Sequence, residues 1–91
     1  IDGIMREVMD VRDLREKYAA FGWHAIDVDG HDVDAIDAAL CAAKEETERP
    51  SAIICHTKIG KGVSFMEDKA GWHGVAPNDE QAADALAELT V

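Results

Sequence analysis

Ser51-Ala-Ile-Ile-Cys-His56, running straight into Thr57-Lys-Ile-Gly-Lys-Gly-Val-Ser-Phe-Met-Glu67, is the stretch on which the reading of the fold turns. Pro50 closes it on one side and a glycine-containing segment opens on the other. A continuous apolar run of this length, bounded by such punctuation, fits a strand covered on both faces in a parallel sheet. Upstream, Trp23 to Val28 carries apolar residues at 23, 25, 26 and 28 and reads as a second strand, ended by Asp29-Gly30. Between them Asp32 suits a helix N-cap, with Val33, Ile36, Leu40 and Ala43 as the expected buried stripe and Lys44, Glu45 and Glu46 as a solvated end.

Outward from this core, Val11, Leu14, Tyr18 and Phe21 recur at helical spacing after Asp10, and Gly22 follows. They predict an amphipathic helix over 11–21 capped by Asp10. Residues 1–9 show no period and read as an entry loop. Asn78 and Gln81 stand three apart, the pattern of a capping box, and open a last helix whose expected buried face is Ala82, Leu86 and Leu89. The order helix, strand, helix, strand, long loop, helix argues an α/β fold with a parallel sheet. Two strands make a poor sheet and call for partners from other residues or another chain.

The chain has 91 residues, enough for one small domain and not two. Hydrophobic residues make up 47%, which is globular composition, and only 5% are aromatic, so Ala, Val, Ile and Leu must fill the core. A net charge of −10 disfavours binding to nucleic acid and to anionic membrane surfaces. No apolar run reaches the roughly 20 residues that span a bilayer, and no signal-peptide pattern is seen. Cys41 and Cys55 fall in a helical pattern and an apolar strand; two buried thiols predict a reduced, cytoplasmic protein. Ile1, not Met, comes first, and the chain reads as a piece of something longer.

Ligands of open α/β sheets bind at the carboxyl ends of the strands. Two segments lie there: Asp29-Gly30-His31-Asp32 and the segment 57–77. The second holds Gly60, Gly62, Gly71 and Gly74, with Lys58, Lys61 and Lys69 and the histidines His56 and His73, in an otherwise acidic chain. Glycines let backbone approach an anion and free N–H groups to face it, so a phosphate or diphosphate is the ligand it suits. A mobile segment is expected from its length and glycines. Gly60-Lys61-Gly62 alone is equally a surface turn, and it is not a P-loop. His24 reads as a packed or exposed strand residue, and His31 beside Asp32 as a polar contact at a helix start. The cysteines and histidines lack zinc-ligand spacing, and Ser64 has no base at fixed spacing, which argues against a zinc site and against nucleophilic hydrolysis.

His56-Thr57-Lys58-Ile59-Gly60-Lys61-Gly62-Val63-Ser64-Phe65-Met66-Glu67, then Gly71-Trp72-His73-Gly74 and Ala76-Pro77-Asn78, resembles transketolase. The match is to the N-terminal, diphosphate-binding subunit of the split bacterial and archaeal type. Ile1-Asp2-Gly3, Phe21-Gly22-Trp23 and Asp29-Gly30-His31-Asp32 fit the same family in the same order, so the resemblance covers nearly the whole chain. It implies the C-terminal part of a thiamine-diphosphate-binding fold, a parallel sheet with helices on both faces, with residues 1–91 forming a single partial domain. It implies thiamine diphosphate held between this domain and a pyrimidine-binding domain or C-terminal transketolase subunit, with Mg2+ bridging the diphosphate. The implied reaction moves a two-carbon ketol unit from a ketose phosphate to an aldose phosphate, in a dimer or heterotetramer.

By the same resemblance His73 matches a catalytic and cofactor-binding histidine near the diphosphate, and Ile1 and Ile59 match apolar residues that pack on the thiazolium. Lys58 and Lys61 would balance charge near the phosphate, and Phe65, Met66 and Trp72 would meet the partner domain. The Gly-Asp-Gly segment that opens the family's metal motif is absent from this sequence, and the Asn that closes it would lie just before Ile1. No metal ligand is therefore assigned here, and the chain alone is expected to be inactive. The other readings are a related thiamine-diphosphate enzyme such as deoxyxylulose-phosphate synthase, or a non-enzymatic interaction module that has lost the metal site.

Overall fold

The computed structural model describes residues 1–90, which form two compact units, residues 11–57 and residues 1–10 with 58–90.

In the first unit, β1 (His24–Asp29) and β2 (Ser51–His56) pair in parallel with His24 opposite Ser51 and Asp29 opposite His56. The crossover between them is α3 (Val33–Glu45), preceded in the chain by α2 (Leu14–Ala20). This is the expected α/β arrangement. Alternation along β1 sends Ala25, Asp27 and Asp29 to one face and Ile26 and Val28 to the other. Arg15 of α2 approaches Asp27, with Nε 3.9 Å from Oδ2. Ala35, Ala39 and Ala42 of α3 lie beside Ile26 and Val28. The two helices thus take opposite faces. His24 makes a cross-strand contact, its Nδ1 3.2 Å from Ser51 Oγ.

Several boundaries depart from the sequence expectation. The helix expected over 11–21 begins at Leu14, because Arg12 sits at φ 63 and Asp13, not Asp10, caps it through Oδ1 accepting from Glu16 N–H at 3.1 Å. Its far end is a Schellman motif: Trp23 N–H donates to Tyr18 O and Gly22 N–H to Ala19 O, while the Tyr18 and Trp23 rings meet edge-on at 5.3 Å. The strand expected over 23–28 is shifted by one residue to 24–29. Asp32 caps α3 as expected, accepting from Ala35 N–H. The stripe of α3 is present in part: Ile36 and Ala43 are half-buried as expected, but Ala39 is the buried residue, and Val33 and Leu40 are exposed. Alanines turn toward the sheet because small side chains let the helix approach it closely. Cys41 and Cys55 are both exposed free thiols, not buried ones. Cys41 lies off the alanine face, and Cys55 lies on a strand that has a neighbour on one side only.

In the second unit, residues 1–9 are not all loop, since α1 (Met5–Val8) forms one turn with Glu7 and Val8 N–H donating to Ile4 O. Residues 58–77 close on themselves through repeated turns and contain a short 3-10 helix, Ala70–Trp72. Asn78 and Gln81 form the expected capping box at the start of α4 (Asp79–Leu89). Ala85 is the buried residue of α4, while Leu86 and Leu89 are more than half exposed. Across the described residues the buried apolar set is small, namely Val28, Ala39, Val63 and Ala85, with no large side chain fully enclosed.

Candidate functional site

The carboxyl ends of β1 and β2 come together as the topology requires. Gly30 N–H donates to His56 O at 2.9 Å. A Cβ at Gly30 would stand 2.5 Å from Thr57 Cγ2 and 3.2 Å from His56 O, so only glycine lets the two strand ends approach this closely. Asp29 Oδ1 accepts from His31 N–H at 2.9 Å and tightens the turn into α3. His56 Nε2 lies 2.8 Å from Asp27 Oδ1, the same carboxylate that Arg15 approaches. His56 is thus engaged on the sheet through a residue that sequence reading did not single out.

Segment 59–73 is built as a chain of closures. Asp68 N–H donates to Ile59 O at 3.0 Å, which shuts a loop of ten residues at its neck. Inside it Val63 N–H reaches Gly60 O, and Met66 and Glu67 N–H both reach Val63 O, with Val63 buried. Gly60 has φ 68, and a Cβ there would lie 2.6 Å from Met66 O. The position therefore excludes side chains both by backbone conformation and by space. Phe65 and Trp72 pack with ring centroids 5.7 Å apart, and Trp72 Nε1–H donates to Phe65 O at 3.0 Å. Phe65, Met66 and Trp72 are half-buried within the unit itself.

The electrostatics of this segment are set by two glutamates. Glu67 Oε1 accepts from Gly62 N–H at 3.1 Å, and Lys58 and Lys61 Nζ lie 3.8 and 4.0 Å from its carboxylate. Lys58 also lies 3.8 Å from Asp68. The Gly62 N–H holds the Glu67 carboxyl below the ordinary range against the opposing effect of desolvation, and Lys58 and Lys61 add to the depression. Glu88 of α4 accepts from Ser64 N–H at 2.6 Å and from Ser64 Oγ–H at 2.7 Å, and these two bonds lower its pKa. The Gly62 N–H, among the glycine N–H groups expected to face an external anion, is therefore engaged by a carboxylate of the chain itself, as is the N–H of Ser64. So are the two lysines. Sequence reasoning missed both glutamates, since their partners are main-chain groups at no recognised spacing.

The three residues carried over from the resemblance all fall in the second unit. Ile1 is exposed at the start of the chain, Ile59 is 46% exposed at the neck of the loop, and His73 is exposed immediately after the 3-10 helix. His73 N–H donates to Ala70 O, which fixes its backbone. No hydrogen bond or ion pair joins the side chains of the three among the described residues. Nor do those residues hold a group of three His, Cys, Asp or Glu side chains placed to share a metal ion. No helix among them is long and apolar enough to cross a membrane.

Comparison with known proteins gives the context for this geometry. The sequence profile of the family described as "Transketolase, thiamine diphosphate binding domain" matches residues 1–90. A 6-deoxy-6-sulfo-D-fructose transketolase subunit from Clostridium sp. (strain MSTE9) is 40% identical over 98% of this chain and 32% of its own length. One of the subunits of the apulose-4-phosphate transketolase of Phocaeicola vulgatus is 34% identical over 99% of the chain and 32% of its own. The transketolase of Homo sapiens is 38% identical over 93% of the chain and 13% of its own. The chain therefore spans about a third of the length of the curated subunits it matches.

Proposed function

Because the chain belongs to the transketolase thiamine-diphosphate-binding family, we propose that it is the C-terminal part of the cofactor-binding domain of a transketolase assembled from separate subunits. The observation that carries this reading is the family match along residues 1–90, together with two relatives named as subunits that cover nearly all of the chain. The whole enzyme would transfer a two-carbon ketol unit from a ketose phosphate to an aldose phosphate, chemistry of the pentose phosphate type. Its partner would be a pyrimidine-binding domain or C-terminal subunit, giving a dimer or heterotetramer. Two exposed thiols without a bridge suit a reducing, cytoplasmic setting.

Thiamine diphosphate, when bound, supplies the nucleophilic carbon and the electron sink of the reaction. What supports a place for such a group is that Ile1, Ile59 and His73 are exposed and that, among the described residues, the His73 side chain has no hydrogen bond or ion pair. His73 would donate from its imidazole to a diphosphate oxygen and hold a proton near the substrate channel. Ile1 and Ile59 would pack on the thiazolium side, exclude water and lower the local dielectric. For Mg2+, the sequence lacks the Gly-Asp-Gly segment that the family resemblance implies. Its ligands would come from outside residues 1–90. The two subunit relatives carry different sugars in their names.

The test is made on the assembled protein that contains this chain, with thiamine diphosphate and Mg2+. Replacing His73 by Asn should weaken cofactor binding about tenfold, the worth of one hydrogen bond to a charged group. The isolated 91-residue chain should show no magnesium-dependent heat of cofactor binding in a calorimeter. Tight binding by the isolated chain, or no ketol transfer by the assembled protein from any ketose phosphate offered, would contradict the proposal.

A further inference from the structure

Ile59 and His73 are fourteen residues apart in sequence, yet one folded segment carries both. Ile59 forms the neck of the loop, its carbonyl held by Asp68 N–H. His73 follows directly on Trp72, whose indole N–H is bonded to Phe65 O near the loop's far end. Between these two ties, Glu67 bonds Gly62 N–H and draws in Lys58 and Lys61. Glu67 and Trp72 each make their polar contact within this segment, and neither has a part in the chemistry described above.

We infer that Glu67 and Trp72 are positioning residues that fix segment 59–73 as one pre-folded unit, so that Ile59 and His73 reach the cofactor in a set relation. The inference rests on the reading that Ile59 and His73 face thiamine diphosphate. Glu67 acts on the neck: without its carboxylate, Gly62 N–H loses its acceptor and Lys61 its ion pair, while Lys58 is left with Asp68. Trp72 acts on the exit, because its ring and its N–H tie the 3-10 helix to Phe65. A pre-folded unit spares the cofactor the cost of ordering the segment on binding.

The experiment uses the assembled protein with saturating Mg2+ and measures the dissociation constant of thiamine diphosphate by equilibrium dialysis. Trp72→Phe keeps the ring contact and removes the N–H; it should raise the constant about fivefold, the scale of one hydrogen bond. Glu67→Ala should raise it about tenfold, and Glu67→Gln, which keeps an acceptor for Gly62, should recover most of that loss. Because Trp72 acts through His73, Trp72→Phe in a His73→Asn background should add less than about twofold, a departure from additivity expected only of coupled residues. Amide hydrogen exchange across residues 59–73 should quicken in Glu67→Ala and Trp72→Phe. Equal losses from Trp72→Phe in both backgrounds would mark a general loss of stability and overturn the inference. So would unchanged cofactor binding or unchanged exchange in Trp72→Phe and Glu67→Ala while His73→Asn still weakens binding. If His73→Asn itself has no effect, the cofactor reading of His73 fails, and the positioning inference falls with it.

Discussion

Replacing Gly60 by Ala isolates the most constrained point of the loop. Two costs add there. At φ 68 an L-residue with a Cβ is disfavoured by about 1–2 kcal/mol relative to glycine. The new methyl would also stand 2.6 Å from Met66 O and 2.7 Å from Met66 C, both main-chain atoms that no rotamer can move. Overpacking of this kind costs about 1–3 kcal/mol. The stiffer unfolded chain offsets about 0.4–1 kcal/mol. A net destabilisation of about 1–4.5 kcal/mol follows. Two further glycines serve as internal controls. Gly74 has φ 80 but open space around a Cβ, so Gly74→Ala should show the conformational cost alone, about 1 kcal/mol after the same offset. Gly71 has neither constraint, so Gly71→Ala should show the offset alone and stabilise by about 0.4–1 kcal/mol. Equilibrium urea unfolding of the protein containing this chain ranks the three. Gly60→Ala no worse than Gly74→Ala would show that the Met66 carbonyl does not bear on position 60, and the packing argument would be wrong.

Gly30→Ala should destabilise by about 1–3 kcal/mol through the clash with Thr57 Cγ2, and Thr57→Ser, which removes that methyl, should recover part of the loss; thermal melts of both single variants and the double decide it. Asn78→Ala removes the capping box of α4 and should cost about 1 kcal/mol in the same unfolding assay, with no loss indicating that the cap is redundant. Glu67 and Glu88 both have depressed pKa values in the folded chain. Their contribution is therefore complete above the ordinary glutamate value of about 4.3 and is lost as pH falls through the lower folded values. The acid limb of a stability profile should accordingly flatten in Glu67→Gln and Glu88→Gln; an unchanged limb would show that neither bond matters to folding.

Local signals are legible in the sequence, and rotational ones are not. The second strand, the Asp32 cap and the Asn78–Gln81 box rest on neighbouring residues alone, and each appears where expected. The start of α2 is ambiguous because Asp10 and Asp13 both suit an N-cap. The Asp13–Glu16 spacing, itself a capping pattern, is the signal that decides between them. Hydrophobic periodicity places Ile36, Ala43 and Ala82 correctly on partly buried faces of α3 and α4, but it adds Val33, Leu40, Leu86 and Leu89, which are exposed, and omits Ala39 and Ala85, which turn inward. Hydrophobicity ranks leucine over alanine, but where α3 lies on the sheet the smaller side chain is the one that lets helix and strand approach. For the site, the motifs point to the glycine-spaced segment as a whole. They do not show that Glu67 and Glu88 occupy its Gly62 and Ser64 N–H groups, because bonds between a carboxylate and a distant main-chain amide leave no periodic trace.

The two strands have one further consequence. Among the described residues each has hydrogen-bonding partners along one border only, so in the 91-residue chain taken by itself the ribbon ends in two bare rims of main-chain donors and acceptors. Such rims are adhesive toward any extended peptide, including another copy of the same chain. The surplus of ten negative charges works against self-pairing, since like-charged molecules must be brought together before rim can meet rim. Salt that screens this repulsion removes the protection and leaves the rims to find each other.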